Sequence, residues 1–387
     1  MSGNPEDSVS LPSSFDVRPP HEFEATARDF CGIWAGEFGE RQRHVLIVEK
    51  PLDVQNVQII MATADSALYG APGGWWRLQA QISGSELIPQ LPAGWHAKAR
   101  YQRTGSDRLI CRYRYDSGFH HIGIVERTSL LDGKPVRFAS FGTSVRIPSR
   151  HGFELEGALY LPSNKGAKRL AVFSHGSAVG ADRLRSWREP LIAFWLLDHG
   201  YAVLVPMRRG RGGSAGVYVE DSHVFDDSGT PVDITPSIAA ALEDLEDAAA
   251  FGRSLPGLER ERILHLGQSR GGFLAAIHAG RRPDEVSGVI NFVGGWMGGA
   301  AAGLNTPWFA AAGKGAGRNV PQLWIYSAPD QYYGEAHTRE NFGAFCANGG
   351  SAELIYHTGQ PPFDGHGIRF YPDLWRERAD AFLRELA

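Results

Sequence analysis

A serine with a glycine two residues away on each side lies between a strand pattern and a helix pattern, and this feature constrains the fold most. The residues Gly267-Gln268-Ser269-Arg270-Gly271 fit the pattern G-x-S-x-G. The apolar run 263–266 predicts a short buried strand, and residues 272–279 predict a helix. A turn this sharp strains the serine backbone and leaves no room for side chains two residues away, so glycines are required there. Strand, turn and helix together are typical of a nucleophile elbow.

The composition is that of an ordinary globular protein. The chain has 387 residues, 43% hydrophobic and 21% charged, which is long for one domain and sufficient for two. The net charge of −4 does not favour a nucleic-acid partner. Cys31, Cys111 and Cys346 have neither zinc spacing nor the pattern of a disulfide framework. No stretch reaches the roughly 20 apolar residues that cross a bilayer. Residues 1–14 lack signal-peptide features, so we expect no membrane partner and a cytoplasmic location.

The N-terminal third alternates apolar and polar residues with a period of two. The runs 76–82, 95–102 and 109–115 show this alternation, which predicts strands with one packed face and one wet face. Turn signals separate the runs, and no helix pattern interrupts them. We predict a flexible tail over residues 1–24 and a small antiparallel all-β domain over 25–130, either a barrel or a sandwich. Its role is left open by the sequence.

From residue 138 to 387 the pattern changes to buried strands that alternate with helices. Short apolar runs predict strands at 170–173, 201–205, 263–266, 289–293, 323–326 and 354–356. Thr235 and Pro236 are typical of a helix start. Strands separated by helices indicate an α/β domain, with a mostly parallel sheet covered by helices on both faces.

A serine hydroxyl needs a histidine to accept its proton and an acid to orient that histidine. In open α/β sheets such groups lie in loops at the carboxyl ends of the strands. Asp330 is the first carboxylate beyond the strand predicted at 323–326. The competing loop is excluded because residues 294–319 contain no Asp or Glu. Asp330 is therefore the predicted acid.

His366 is the predicted base because it follows the last predicted strand and has a glycine on either side. His357 is the rival, but it follows that strand immediately and would reach less far. Asp364 is a second possible acid, although its position two residues before His366 favours a role in shaping the turn. The chain order Ser269, Asp330, His366 agrees with the order expected after a nucleophile elbow in this class of fold.

Two backbone amides should bind the oxyanion of a tetrahedral intermediate. The residue after the nucleophile, Arg270, supplies one of them. The other is predicted from the turn after the strand at 170–173, where Gly176 allows a close backbone approach. We assign it to the Ser177 amide, with Ala178 as the alternative. His175 is interpreted as a structural residue of the same loop.

Four segments now indicate a family. They are His175-Gly176, the run 209–214 (Arg-Gly-Arg-Gly-Gly-Ser), the run 267–272 and the run 364–366 (Asp-Gly-His). Residues 138–387 resemble an α/β-hydrolase, in a branch similar to dienelactone hydrolases and prolyl-oligopeptidase-like esterases. Dienelactone hydrolases proper use a cysteine nucleophile, so Ser269 favours ordinary ester hydrolysis. Prolyl oligopeptidases carry a large propeller, for which the N-terminal region is too short.

The sequence also offers candidates for substrate contacts. The resemblance favours arginines that pair with loop carboxylates, and the alternative is that Arg208, Arg209 or Arg211 binds a substrate carboxylate. Trp296, Trp308 and Phe309 either line the pocket or pack in the core. Tyr332, two residues after the predicted acid, is a further candidate contact.

These observations predict a serine esterase that cleaves a small-molecule carboxylic ester through an acyl-enzyme on Ser269, without a metal or organic cofactor. Two alternatives remain: a serine peptidase or amidase of the prolyl-oligopeptidase-like type, and a ligand-binding or sensor protein with a vestigial hydrolase domain. Within the hydrolase region there is no large inserted cap, only the stretches 207–235 and 294–320, which predicts an open pocket for short-acyl esters. The natural ester and the oligomeric state are left open by the sequence.

Overall fold

The computed structural model describes residues 9–38, 42–65, 72–104, 107–116, 120–139, 142–162, 168–178, 180–259, 261–358 and 365–386. They form two compact units, residues 1–141 and 142–387. The sequence predicted this change of architecture between residues 130 and 138. Among the described residues, no helix is both long and apolar enough to span a membrane.

The N-terminal unit is a closed antiparallel barrel. It begins with a short helix, α1 (Ala25–Arg28), and eight strands follow: β1 (Gly32–Phe38), β2 (Gln42–Pro51), β3 (Asn56–Thr63), β4 (Gly74–Ser83), β5 (Glu86–Pro89), β6 (Ala97–Arg103), β7 (Arg108–Tyr115) and β8 (His120–Thr128). Each strand pairs with the next, and β8 pairs with β1 to close the ring. The prediction of an antiparallel β-domain is confirmed, and the domain is a barrel rather than a sandwich. A two-stranded hairpin, β9 (Leu130–Leu131) and β10 (Lys134–Pro135), follows.

Alternation places one face of each barrel strand in a single core. Trp34, Ile59 and Tyr101 are fully buried in this cluster, which also includes Phe23 and Phe30 from the segment around α1. The outer face of β1 to β3 is apolar too, and residues 9–15 cover it through side chains that include Val9, Leu11 and Phe15. Residues 9–24, part of the segment predicted to be a tail, therefore contact the barrel.

The C-terminal unit is built on an eight-stranded mixed sheet. Its strands are β11 (Thr143–Pro148), β12 (Glu154–Tyr160), β13 (Arg169–Ser174), β14 (Tyr201–Pro206), β17 (Ile263–Gln268), β18 (Val286–Phe292), β19 (Gln322–Ser327) and β20 (Ala352–His357), and a small hairpin, β15 (Val224–Phe225) and β16 (Pro231–Asp233), lies apart from it. The spatial order is β11-β12-β14-β13-β17-β18-β19-β20. The two contacts that β12 makes are antiparallel, and all the others are parallel.

Six helices connect or flank these strands: α2 (Pro190–Asp198), α3 (Thr235–Ser254), α4 (Arg270–Arg281), α5 (Thr306–Ala316), α6 (Glu335–Ala347) and α7 (Arg376–Glu385). This confirms the predicted α/β class. The central strands are rich in apolar residues because both of their faces are buried, as at Val172, Leu266 and Ile325. Parallel strands end at one edge of the sheet, so the loops after β13, β17, β19 and β20 emerge together.

Candidate active site

Ser269 lies in the sharp turn between β17 and α4. Its backbone φ of 56° and ψ of −125° fall in a region that residues other than glycine rarely adopt, at a cost of about 1–3 kcal/mol. A Cβ at Gly267 would collide with the backbone of Gly271, and a Cβ at Gly271 would collide with the Ser174 carbonyl. The two glycines are therefore required for the reason that the sequence indicated. The turn holds Ser269 at the carboxyl edge of the sheet, at the start of α4.

Asp330 and His366 lie together at the same edge. Asp330 follows β19, and its Oδ1 accepts the backbone N–H groups of Tyr332 at 2.8 Å and Tyr333 at 3.1 Å. Its Oδ2 lies 3.0 Å from Nδ1 of His366. The carboxylate is almost fully buried, with its side chain 1% exposed, so the hydrogen bond is shielded from water. An Nδ1–H that donates to Asp330 places the lone pair of the neutral ring on Nε2, which is the tautomer that a general base needs.

The loop that carries His366 fits closely against the loop after β19. His366 lies in a short 3₁₀ helix, Gly365–Phe370. The Gly365 amide donates to the Pro329 carbonyl at 2.6 Å, and a Cβ at Gly365 would collide with the Ser327 carbonyl. The rival base His357 is the last residue of β20, paired in register with Ser327. The rival acid Asp364 lies outside the described residues.

Two residues that the sequence did not single out contact the predicted triad. The Tyr333 hydroxyl donates to the Gly295 carbonyl at 2.7 Å. Burial raises the pKa of Tyr333, and a hydrogen bond with the Ser269 side chain opposes that rise. Gln268 donates from Nε2 to the His366 carbonyl at 3.3 Å. Tyr333 follows the acid by three residues and Gln268 precedes the nucleophile, so proximity in sequence was the available signal.

The loop after β13 passes beside the nucleophile. A Cβ built on Gly176 would lie 3.2 Å from Cβ of Ser269, so the backbone approaches the serine as predicted. His175 is fully buried, and its Nδ1 donates to the Gly176 carbonyl at 2.8 Å while Nε2 accepts the Arg208 amide at 3.2 Å. Burial, assisted by Arg208 and Arg211, lowers the pKa of His175 well below its ordinary value, so the ring is neutral. These contacts agree with a structural role. The amides assigned to the oxyanion, those of Ser177 and Arg270, belong to the two segments that approach or adjoin Ser269.

The candidate substrate contacts differ in accessibility. Tyr332 is 50% exposed, and its ring centroid lies 4.6 Å from that of His366. Trp296 is buried, donates from Nε1 to the Ser237 hydroxyl at 3.1 Å and lies under the Arg270 guanidinium. Phe309 is buried as well. The structure therefore brings Tyr332 to the edge of the site and favours the packing interpretation for Trp296 and Phe309.

The arginines after β14 pair with carboxylates. Arg209 binds Asp244 at 2.8 Å and Glu243 at 3.1 Å, both on α3. Arg208 binds Glu220 at 2.8 Å, and Arg211 binds the same carboxylate at 3.1 Å. These contacts agree with the preferred interpretation of paired arginines, and Arg209 is directed to α3 rather than to the triad.

Solved structures that are similar to part of this chain include an esterase and a putative dienelactone hydrolase. An esterase of Pyrococcus furiosus is 16% identical, with a TM-score of 0.46 over 63% of this chain and 90% of that one. A putative dienelactone hydrolase of Klebsiella pneumoniae is 17% identical, with a TM-score of 0.44 over 63% and 95%. Est1E of Butyrivibrio proteoclasticus, with ferulic acid bound, is 17% identical, with a TM-score of 0.47 over 62% and 98%. No curated protein matches this sequence.

A family model identifies the sequence family of the C-terminal unit. The model of the dienelactone hydrolase family matches residues 155–359, which span β12 to β20 and include both Ser269 and Asp330. This is more than half of the chain. The chain therefore belongs to the dienelactone hydrolase family and is an enzyme of the hydrolase type.

Proposed function

We propose that this protein is a serine esterase that transfers the acyl group of a carboxylic ester to Ser269 and then to water. One observation carries the proposal. A serine in a strained strand-to-helix turn and a histidine held by a buried carboxylate at 3.0 Å lie at the same edge of one sheet. Nucleophile, base and orienting acid are the three groups that acyl transfer to serine requires.

The proposed mechanism assigns one role to each group. Nε2 of His366 takes the Ser269 proton as the hydroxyl oxygen attacks the ester carbonyl, and Asp330 stabilises the imidazolium that forms. The Arg270 and Ser177 amides bind the oxyanion of the tetrahedral intermediate. His366 then returns the proton to the leaving alkoxide. A water molecule then attacks the acyl carbonyl while His366 takes its proton. His366 returns that proton to the Ser269 oxygen as the bond between this oxygen and the acyl carbon breaks, and the carboxylic acid leaves. No step uses a metal ion or an organic cofactor.

The most direct kinetic test replaces each proposed group in turn. Ser269→Ala and His366→Ala should lower kcat for p-nitrophenyl acetate by about 10⁴-fold or more, since a triad acts as a unit. Asp330→Asn should be similarly damaging because the neutral amide cannot stabilise the imidazolium and can hold the imidazole in the wrong tautomer. The rivals serve as controls: His357→Ala and Asp364→Asn should retain wild-type turnover. If Asp364→Asn is the damaging change and Asp330→Asn is not, the acid has been assigned wrongly.

The alternatives predict different substrates. A peptidase or amidase should turn over aminoacyl p-nitroanilides at least as well as matched esters, whereas we expect the esters to be strongly preferred. Amide cleavage requires protonation of a much poorer leaving group. A ligand-binding protein with a vestigial hydrolase domain should turn over neither. Absence of turnover with every ester and anilide would therefore favour that alternative.

We further propose that the substrates are small, short-acyl esters. The support is the exposed Tyr332 beside His366 and the short stretches available to cover the site. A series of p-nitrophenyl esters from acetate to decanoate should show the highest kcat/KM at acetate or butyrate. A maximum at decanoate, with activation at an oil–water interface, would contradict this.

A further inference from the structure

One backbone carbonyl beside the nucleophile is held by three side chains. The Gly176 carbonyl accepts hydrogen bonds from Nδ1 of His175 at 2.8 Å, Nη2 of Arg208 at 3.1 Å and Nη2 of Arg211 at 3.5 Å. Arg208 also donates from Nη1 to the neighbouring His175 carbonyl at 2.8 Å. All three side chains are buried. This concentration of donors fixes the orientation of the peptide group that joins Gly176 to Ser177.

The orientation of the Gly176 carbonyl determines the direction of the Ser177 N–H group. A trans peptide group is planar, and its C=O and N–H point to opposite sides. Because the Gly176 carbonyl faces the arginines, the Ser177 N–H faces away from them. The same backbone passes so close to Ser269 that a Cβ on Gly176 would lie 3.2 Å from the serine Cβ. The Ser177 N–H is the donor that the proposed mechanism assigns to the oxyanion.

Glu220 holds the two arginines in place. Its side chain is 1% exposed and binds Nε of Arg208 at 2.8 Å and Nη1 of Arg211 at 3.1 Å. Its Oε2 also lies 3.5 Å from Nη1 of Arg270, the residue after the nucleophile. Without this carboxylate, the guanidinium groups of Arg208, Arg211 and Arg270 would share no negative charge. Arg270 would keep one partner, the exposed Asp221. Removal of one partner from a buried ion cluster leaves uncompensated charge, which displaces the remaining groups.

We propose that Glu220, Arg208 and Arg211 are positioning residues that hold the Gly176–Ser177 peptide with its N–H directed at the oxyanion. This inference rests on the proposed esterase mechanism. It predicts that the three residues act on the transition state, in which the oxyanion exists, and hardly at all on substrate binding.

The test compares two variants with a matched control in the full-length protein. Arg208→Lys keeps the charge but has one nitrogen in place of the three guanidinium nitrogens that reach Glu220 and the two adjacent carbonyls. Glu220→Gln removes the charge of the carboxylate. The control is Arg262→Gln. Arg262 also donates to backbone carbonyls, including that of Asn319 at 2.9 Å, but it lies just before β17 at the opposite edge of the sheet.

We expect Arg208→Lys and Glu220→Gln to lower kcat for p-nitrophenyl acetate by about 10- to 100-fold, somewhat less than the loss of a whole oxyanion donor, with KM within about threefold of wild type. The affinity for a trifluoromethyl ketone, whose adduct with the serine carries the oxyanion, should fall by a similar factor. Arg262→Gln should lower the Tm but leave kcat and inhibitor affinity unchanged. If Glu220→Gln does not fold, Arg208→Lys decides the question.

Three outcomes distinguish failure of this inference from failure of the proposed function. If the wild type hydrolyses esters, Ser269→Ala does not, and Arg208→Lys retains kcat and ketone affinity within twofold, the positioning role is wrong while the esterase mechanism stands. A loss of kcat in Arg262→Gln equal to that in Arg208→Lys would likewise overturn it, since general destabilisation would explain both. If the wild type hydrolyses no ester, the proposed function itself fails.

Discussion

Around Ser269, several glycines lie so close to neighbouring atoms that even an added methyl group would collide with them. Gly267 and Gly271 allow strand and helix to meet beneath the serine, and Gly176 allows the neighbouring loop to pass beside it. A Cβ on Gly272 would collide with the Asn291 side chain. These four glycines are needed for close approach and not for positive φ, because none of them has a positive φ whereas Ser269 does. The strain is concentrated on the residue proposed to react.

Gly271→Ala tests this constraint. The added methyl group would collide with the Ser174 carbonyl, so β13 and α4 would have to separate. We expect a loss of at least about 2 kcal/mol in the free energy of unfolding, together with loss of ester hydrolysis. Gly343→Ala is the matched control, because that glycine lies inside α6 with open space around it. It should stabilise the protein by up to about 1 kcal/mol through helix propensity. Equal stability of Gly271→Ala and wild type in urea denaturation would contradict the argument.

The sequence was most informative where chemistry and strand order restricted the choice. Asp330 could be proposed as the acid because the competing loop contains no carboxylate, and His366 could be proposed as the base because of its flanking glycines. Glu220 could not be predicted. It lies 12 residues from Arg208 and 50 from Arg270, on an excursion with no periodic pattern. Only the folded backbone brings those charges together. The burial of Trp296 was unpredictable for the same reason, since an aromatic residue suits a pocket and a core equally well.

At the level of elements, the barrel depends on the seam between β1 and β8. Period-two alternation predicted the strands, but it does not specify which strand pairs with the first, so barrel and sandwich could not be distinguished. Closure requires close contact at that seam. A Cβ on Gly36 would collide with the Ile124 carbonyl, and a Cβ on Gly123 would collide with the Phe38 ring. The two glycines thus allow β8 to reach β1.

Gly36→Val should open this seam. The β-branched side chain cannot fit against the Ile124 carbonyl, so we expect a loss of about 1–3 kcal/mol in barrel stability. Hydrogen exchange measured by mass spectrometry should speed up in β1 and β8 more than in β4. Gly94→Ala, at a position with no atom near an added Cβ, is the control and should exchange like the wild type. Unchanged protection of β1 and β8 in Gly36→Val would show that the seam tolerates the side chain.

Across the whole molecule, buried neutral histidines link stability to pH. Burial lowers the pKa of His44, in the barrel, to about 3 and that of His278, on α4, to about 4. His265 packs against His278 with ring centroids 4.7 Å apart, and burial lowers its pKa as well. An unfolded chain would protonate these rings near pH 6.5, whereas the folded protein excludes the proton. Both units should therefore lose stability in acid.

For His278, the lowered pKa determines the direction in which stability changes with pH and the pH range of that change. Between about pH 4 and pH 6.5 the unfolded state binds a proton there and the folded state does not, so the free energy of unfolding falls as the pH falls. The contribution is complete above pH 6.5 and decreases by about 1.4 kcal/mol per pH unit below it. His278→Leu should flatten the pH dependence by about that slope, measured by urea denaturation at several pH values. Parallel curves for wild type and variant would contradict this assignment.

The central claim is that Ser269 is the nucleophile, and covalent labelling tests it most directly. The native protein should be incubated with a fluorophosphonate, digested and mapped by mass spectrometry. We predict one adduct per chain, located on Ser269, that is absent from Ser269→Ala and from protein denatured before labelling. Labelling of Ser269→Ala at the wild-type rate, or an adduct on a different residue of the native enzyme, would contradict the account.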